Sequence, residues 1–195
     1  MRAGAWAAAG CALVAVGALQ GCAQALIVGG VAAGAVMAAD RRQVEVMYTD
    51  NLIELDASSR IGDALKGEGH VNVTSYNYTV LLTGEVPTAQ ARAAAEKAAS
   101  EVSQVKTVIN ELQIAGTSSA ASRSNDAYLT SKVKSNLLGN GKVKPTDVKI
   151  VTEASVVYLL GLVTREEADA ATEIARGTAG VEKVVRVFEY VDPAK

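Results

Sequence analysis

Val80-Leu81-Leu82-Thr83-Gly84-Glu85-Val86 and Val157-Tyr158-Leu159-Leu160-Gly161-Leu162-Val163 are one pattern written twice. Each is a run of branched and aliphatic residues around a glycine, followed by an alanine-rich segment that leads into a valine-rich one. The valine-rich segments are Val105-Lys106-Thr107-Val108-Ile109 and Val181-Glu182-Lys183-Val184-Val185. Such self-similarity means two copies of one supersecondary unit, and the single-residue offset between the two alignments is a change of loop length.

Working outward, each copy reads as helix, strand, strand, helix, strand. In the first, Leu52, Ile53, Leu55, Ile61 and Leu65 fit a helix, and the alternation through Val71-Val73 and Tyr78-Val80-Leu82 fits a hairpin turning at Asn77. Pro87 suits the first turn of the next helix, where a missing N–H costs nothing. Ala91, Ala94, Ala95, Ala98 and Val102 form the buried stripe of that helix. In the second copy Ser124-Asn125-Asp126 offers N-caps for a helix through about Leu138. Val148-Ile150 and Val156-Tyr158-Leu160 read as the hairpin, Ala168, Ala171, Ile174 and Ala175 as the next buried stripe, and Val184 to Val191 as the last strand. The fold class is therefore α+β, with two tandem domains of αββαβ order, each a three-stranded sheet packed on two helices. Residues 47–115 form the first domain and residues 124–192 the second, joined by residues 116–123, whose small polar composition reads as a flexible linker. Gly84 and Gly161 occupy the same position near the end of the second strand, as structural glycines at a bulge or under a closely packed helix.

Ahead of the repeat, Arg2 is the only charged residue from Met1 to Ala39. Arg2 followed by Ala5-Trp6-Ala7-Ala8-Ala9 and Ala12-Leu13-Val14-Ala15-Val16 has the charged start and apolar core of a secretory signal peptide, residues 1–21. The stretch is long enough for one transmembrane helix, but frequent glycines and the Cys22 context favour cleavage. Leu19-Gln20-Gly21-Cys22 resembles a bacterial lipobox, which implies a diacylglycerol and an N-acyl chain on Cys22 and a tether through residues 22–46. Ala23 in place of Asp implies sorting to the outer membrane, periplasmic face, held there by several acyl chains.

Composition excludes much chemistry. Two cysteines and one histidine, His70, leave too few ligands for a zinc or iron–sulfur site, and no metal site or cofactor beyond the acyl chains is expected. With 19 Lys+Arg against 21 Asp+Glu there is no basic field for nucleic acid. No catalytic residues emerge: His70 reads as a solvated loop residue between Gly67, Gly69 and a strand, and Glu166, Glu167 and Asp169 as partners of a helix dipole. Gly139-Asn140-Gly141 follows a helix and so opens no phosphate-binding loop.

The whole mature chain resembles the dual BON-domain outer-membrane lipoproteins. The resemblance is carried by Leu19-Gln20-Gly21-Cys22, Asp40-Arg41-Arg42, Val71-Asn72-Val73-Thr74, Val80-Leu81-Leu82-Thr83-Gly84, Ser124-Asn125-Asp126, Lys132-Val133-Lys134-Ser135, Gly161-Leu162-Val163-Thr164 and Gly180-Val181-Glu182-Lys183-Val184. It implies a non-enzymatic role in envelope integrity and at the division site. It also implies binding of anionic phospholipid, such as phosphatidylglycerol, by the first helix of the second domain, where the family's reference member carries Trp at the place of Tyr128.

The residues themselves point to the same helix. Lys132, Lys134, Lys142, Lys144 and Lys149 outweigh Asp126 and Asp147, whereas residues 48–115 carry a net charge of -4. At about 100° per residue Leu129, Val133 and Leu137 form the core stripe, and Tyr128, Ser131, Lys132, Ser135 and Leu138 lie outside it. A tyrosine among lysines and small serines suits a lipid headgroup layer, with Tyr128, Ser131, Lys132, Lys134, Ser135 and Leu138 as contacts. Tyr128 packed against the first domain is the competing arrangement. The alternative function is a periplasmic protein-interaction adaptor, for instance toward a cell-wall hydrolase regulator, with the membrane met only through the acyl anchor.

Overall fold

The computed structural model describes residues 40–192. The signal-like stretch, Cys22 and the tether as far as Ala39 lie outside the described residues. The first copy comprises helix α1 (Val44–Leu65), strands β1 (His70–Tyr76) and β2 (Thr79–Val86), helix α2 (Ala89–Ser100) and strands β3 (Thr107–Asn110) and β4 (Gln113–Ile114). The second comprises α3 (Ala120–Asn140), β5 (Val148–Glu153), β6 (Val156–Val163), α4 (Arg165–Arg176) and β7 (Lys183–Tyr190). In each sheet the central strand pairs antiparallel with the strand before it and parallel with the strand after the helix.

The two copies differ at the last strand. β7 pairs with β6 along its whole length, whereas in the first copy β3 and β4 pair with β2 in two pieces, so that sheet has four strands instead of the expected three. The break falls where the Asn110 side chain takes the Leu112 N–H at 3.2 Å and Leu112 turns into the core.

Helices cover one face of each sheet. Ile53, Ala57, Ile61 and Leu65 of α1 pack with Ala95, Ala98 and Ala99 of α2 over Val80, Leu82 and Val86. Val133 and Leu137 of α3 pack with Ala168, Ala171 and Ala175 of α4 over Val157, Leu159 and Val163. The opposite faces pack on each other: Tyr76 and Leu81 of the first sheet form one cluster with Tyr158 and Leu160 of the second. The layers run helices, sheet, sheet, helices, with both central strands buried on both faces, and α1 and α3 lie in opposite outer layers. Stacked sheets sit about 10 Å apart.

Several local expectations change. Pro87 precedes α2 and lies outside its first turn, because Thr88 is the better cap: its hydroxyl accepts the Ala91 N–H at 3.1 Å. Helix α3 begins earlier than its Ser-Asn-Asp signal. Ser119 caps α3 by accepting the Ser122 N–H, which puts Ser124, Asn125 and Asp126 inside the helix. The chain leading into it is held to the first sheet, with the Ala115 N–H on Val86 O and the Ser118 N–H on Glu85 Oε2. His70 is the first residue of β1 and no loop residue; its Nε2 lies 3.3 Å from Asn72 Nδ2. Gly84 and Gly161 sit under a close approach, from the start of β1 in one case and from the residue just before β5 in the other, not from a helix. A Cβ on Gly84 would lie 2.0 Å from His70 O, and one on Gly161 would lie 2.4 Å from Asp147 O.

Candidate functional site

Helix α3 is fixed from beneath by polar bonds as well as by its apolar stripe. Asp126, buried, accepts the Ala154 N–H at 3.0 Å and the Ser155 N–H at 2.9 Å, holding the turn between β5 and β6, where both residues have positive φ. The Thr130 hydroxyl meets that of Thr152 at 2.7 Å, and Asn136 Nδ2 donates to Thr178 Oγ1 at 2.9 Å. Gly180, at φ 102°, lies so near Leu129 that a Cβ there would be 2.8 Å from Cδ2. Gly141, in the left-handed region, closes the helix.

These bonds turn the opposite side of α3 outward. Tyr128 is 60% exposed and Leu138 66%, with Ser131 and Ser135 exposed between them. Since α3 is in an outer layer and Tyr128 points away from the sheets, the arrangement with Tyr128 packed on the first domain does not occur. The Ser131 hydroxyl donates to Ala127 O at 3.0 Å, so it is internally satisfied and leaves a smooth surface.

The lysines divide into two sets. Lys132 Nζ donates to Ala179 O at 2.7 Å and stands 5.3 Å from the Tyr128 ring centroid, which fixes ring and ammonium together. Lys149 faces the other way: its Nζ donates to Glu54 Oε1 at 2.6 Å and Ser75 O at 3.2 Å, across the seam between the sheets. Lys149 therefore leaves the surface patch. Lys134, Lys142 and Lys144 are exposed around the C-terminal half of α3 and its following loop.

The seam holds Arg41 and Arg42, whose motif gave no sign of this role. Arg41 donates to Leu162 O at 2.8 Å and to Glu167 through two nitrogens at 2.6 and 2.7 Å, and its Nε lies 3.3 Å from buried Asp147. Arg42, one residue on, pairs with Asp40 and Asp50 at 2.9 Å and stacks 3.9 Å over the Tyr76 ring. Consecutive arginines thus grip the two domains separately. The Arg41 hydrogen bond, followed by the Thr164 backbone bond of the capping box, holds the Glu167 carboxyl down at about 2. Burial pushes Asp147 and Glu153 up, and Glu153 accepts from Asn72 Nδ2 at 2.7 Å across the seam. Glu166 remains in the first turn of α4, and Asp169 pairs with Arg186 at 2.8 Å.

Asp50 is the first-domain counterpart of Asp126, accepting the Asn77 and Tyr78 N–H groups at 2.8 and 2.9 Å and the Ser75 hydroxyl at 2.8 Å. An acid in line with the apolar stripe, at its N-terminal end, was the available signal for both. Among the described residues no helix is long and apolar enough to cross a membrane.

The BON domain family profile matches residues 49–116 and again residues 125–192. The chain is 43% identical over 176 residues to the outer membrane lipoprotein DolP of Haemophilus influenzae, covering 89% of this chain and 91% of that protein. It is 37% identical over 154 residues to a 21 kDa hemolysin of Actinobacillus pleuropneumoniae, covering 78% of this chain and 79% of the other.

Proposed function

Because the chain belongs to the BON-domain family, as a two-domain member like DolP, we propose that it is an outer-membrane lipoprotein whose second domain binds anionic phospholipid through α3. Cys22 carries the acyl chains and tethers the protein to the periplasmic face of the outer membrane. No catalysis is involved, and the binding serves envelope integrity and the division site.

The observation that carries this reading is the outward face of α3, where Tyr128 and Leu138 stand exposed among small serines and beside lysines. A tyrosine ring settles at headgroup depth with its hydroxyl in water. Serines below the ring allow the helix axis to approach the surface. Lys134, Lys142 and Lys144 add about 1 kcal/mol each near an anionic leaflet. The first domain's net negative charge keeps it from competing for that leaflet.

Flotation with liposomes tests the reading, using a soluble form that begins at Asp40 and lacks the anchor. It is expected to float with vesicles containing phosphatidylglycerol, to float less as salt screens the lysines, and to stay at the bottom with phosphatidylcholine alone. A folded protein that stays at the bottom with both leaves Cys22 as the only membrane contact and favours the adaptor.

A further inference from the structure

Helix α1 carries a second outward stripe. Val44, Tyr48, Leu52 and Leu55 recur at helical spacing on the side opposite Ile53, Ala57 and Ile61, and all four are exposed, Tyr48 by 65% and Leu55 by 70%. Toward the C-terminal end the same stripe continues in small residues, Ser59 and Gly62. Gly62 is less favourable than alanine inside a helix, and nothing among the described residues lies within 4 Å of where its Cβ would be. No contact among the described residues accounts for that glycine.

We infer that this stripe is the docking surface for a second copy of the chain, with the two α1 helices packed antiparallel about a twofold axis near Leu52. In that register Leu52 meets its own counterpart and Tyr48 meets Leu55 of the second copy. Val44 comes down over the small Ser59 and Gly62, the close approach that a glycine permits. The charges agree with the same register. Glu45 and Arg60 lie on one flank of the stripe, and antiparallel packing sets Glu45 of each copy beside Arg60 of the other, giving two matched pairs. Arg60 is already extended along that flank toward Asp56, at 2.9 Å. An anionic bilayer is a poorer occupant, since Glu45, Asp56 and Asp63 border this helix. α1 and α3 face opposite ways, so the contact leaves the Tyr128 face free.

A contact between two single helices falls short of the roughly 1,600 Å² of a standard interface. The dimer is therefore weak in solution, and anchoring raises its local concentration at a membrane.

Sedimentation equilibrium on the form beginning at Asp40, which contains both sheets and all three cores, tests this across about 1 to 500 μM. The weight-average mass is expected to rise toward that of a dimer. Leu52→Glu should raise the dissociation constant at least about tenfold, while Tyr128→Glu leaves it unchanged. Glu45→Arg and Arg60→Glu should each weaken the dimer, and the two together should restore it, a readout that does not depend on the folding of the Leu52 variant. A monomer throughout the range overturns the inference. So does a dimer lost with Tyr128→Glu and kept with Leu52→Glu, or one whose charge reversals fail to compensate.

Discussion

Lys149 Nζ lies 2.6 Å from Glu54 Oε1, so a lysine that composition places in a basic patch instead ties the second sheet to the first helix. Both groups are partly exposed, and a pair of this kind contributes about 1 kcal/mol or less. Lys149→Met is expected to lower stability in urea by that amount and to leave flotation with anionic liposomes unchanged. A loss of flotation in a folded Lys149→Met protein would return Lys149 to the lipid surface.

Asp50 and Asp126 hold the two hairpin turns by their backbone N–H groups, at residues forced to positive φ. Removing such a buried acceptor leaves two donors unpaired, at about 1–3 kcal/mol. Asp126→Ala is expected to lose that much in denaturant unfolding and Asp50→Ala at least as much, since Asp50 also accepts from Ser75 and pairs with Arg42.

Acid should act through Arg41 and Glu167. The folded-state value of Glu167, about 2, lies below its ordinary value, so its contribution is complete above the ordinary carboxylate range and disappears as the pH falls toward 2. Asp147, raised by burial, has the opposite sign: its charged form costs stability, and protonation relieves that cost. Arg41→Ala removes the partner of both. It is expected to destabilise the protein at neutral pH and to flatten the acid limb of a stability profile between about pH 5 and pH 2. Glu167→Gln should flatten that limb as well while leaving Asp147 paired.

Gly84 and Gly161 admit no side chain. Alanine at either places a Cβ well inside contact distance of a backbone carbonyl, and Gly84 adds a φ of 112°. Each substitution is expected to cost about 3 kcal/mol or more, as overpacking plus strain, with Gly84→Ala the worse of the two in thermal unfolding.

The repeat made the αββαβ order legible because central strands, alanine stripes and glycines recur together. The packing of the two sheets was also written there, in the outward alternates Leu81, Tyr158, Leu160 and Leu162. Read one domain at a time, these merge with the inward alternates into one apolar run, and periodicity cannot say what covers a second face. Asp126 was misplaced because an acid after Ser and Asn imitates a helix start, whereas its carboxylate serves a hairpin 28 residues on. Leu52 and Leu55 support a helix equally well whether they face the core or, as here, solvent. The outward side of Tyr128 followed from helical geometry, since Leu129, Val133 and Leu137 leave only one side for the core. Asp40-Arg41-Arg42 stood out as a motif, but its role at the seam did not, because Arg41's partners Asp147 and Glu167 are distant in sequence.

Lipid docking through α3 requires the Tyr128 ring to enter the headgroup layer. Trp6 is the only tryptophan of the chain, so Tyr128→Trp in the form beginning at Asp40 supplies a single reporter on the outward face of α3. Its emission is predicted to shift to the blue on addition of phosphatidylglycerol vesicles and to return as salt is raised. Unshifted emission with these vesicles, from a folded protein, would contradict the account.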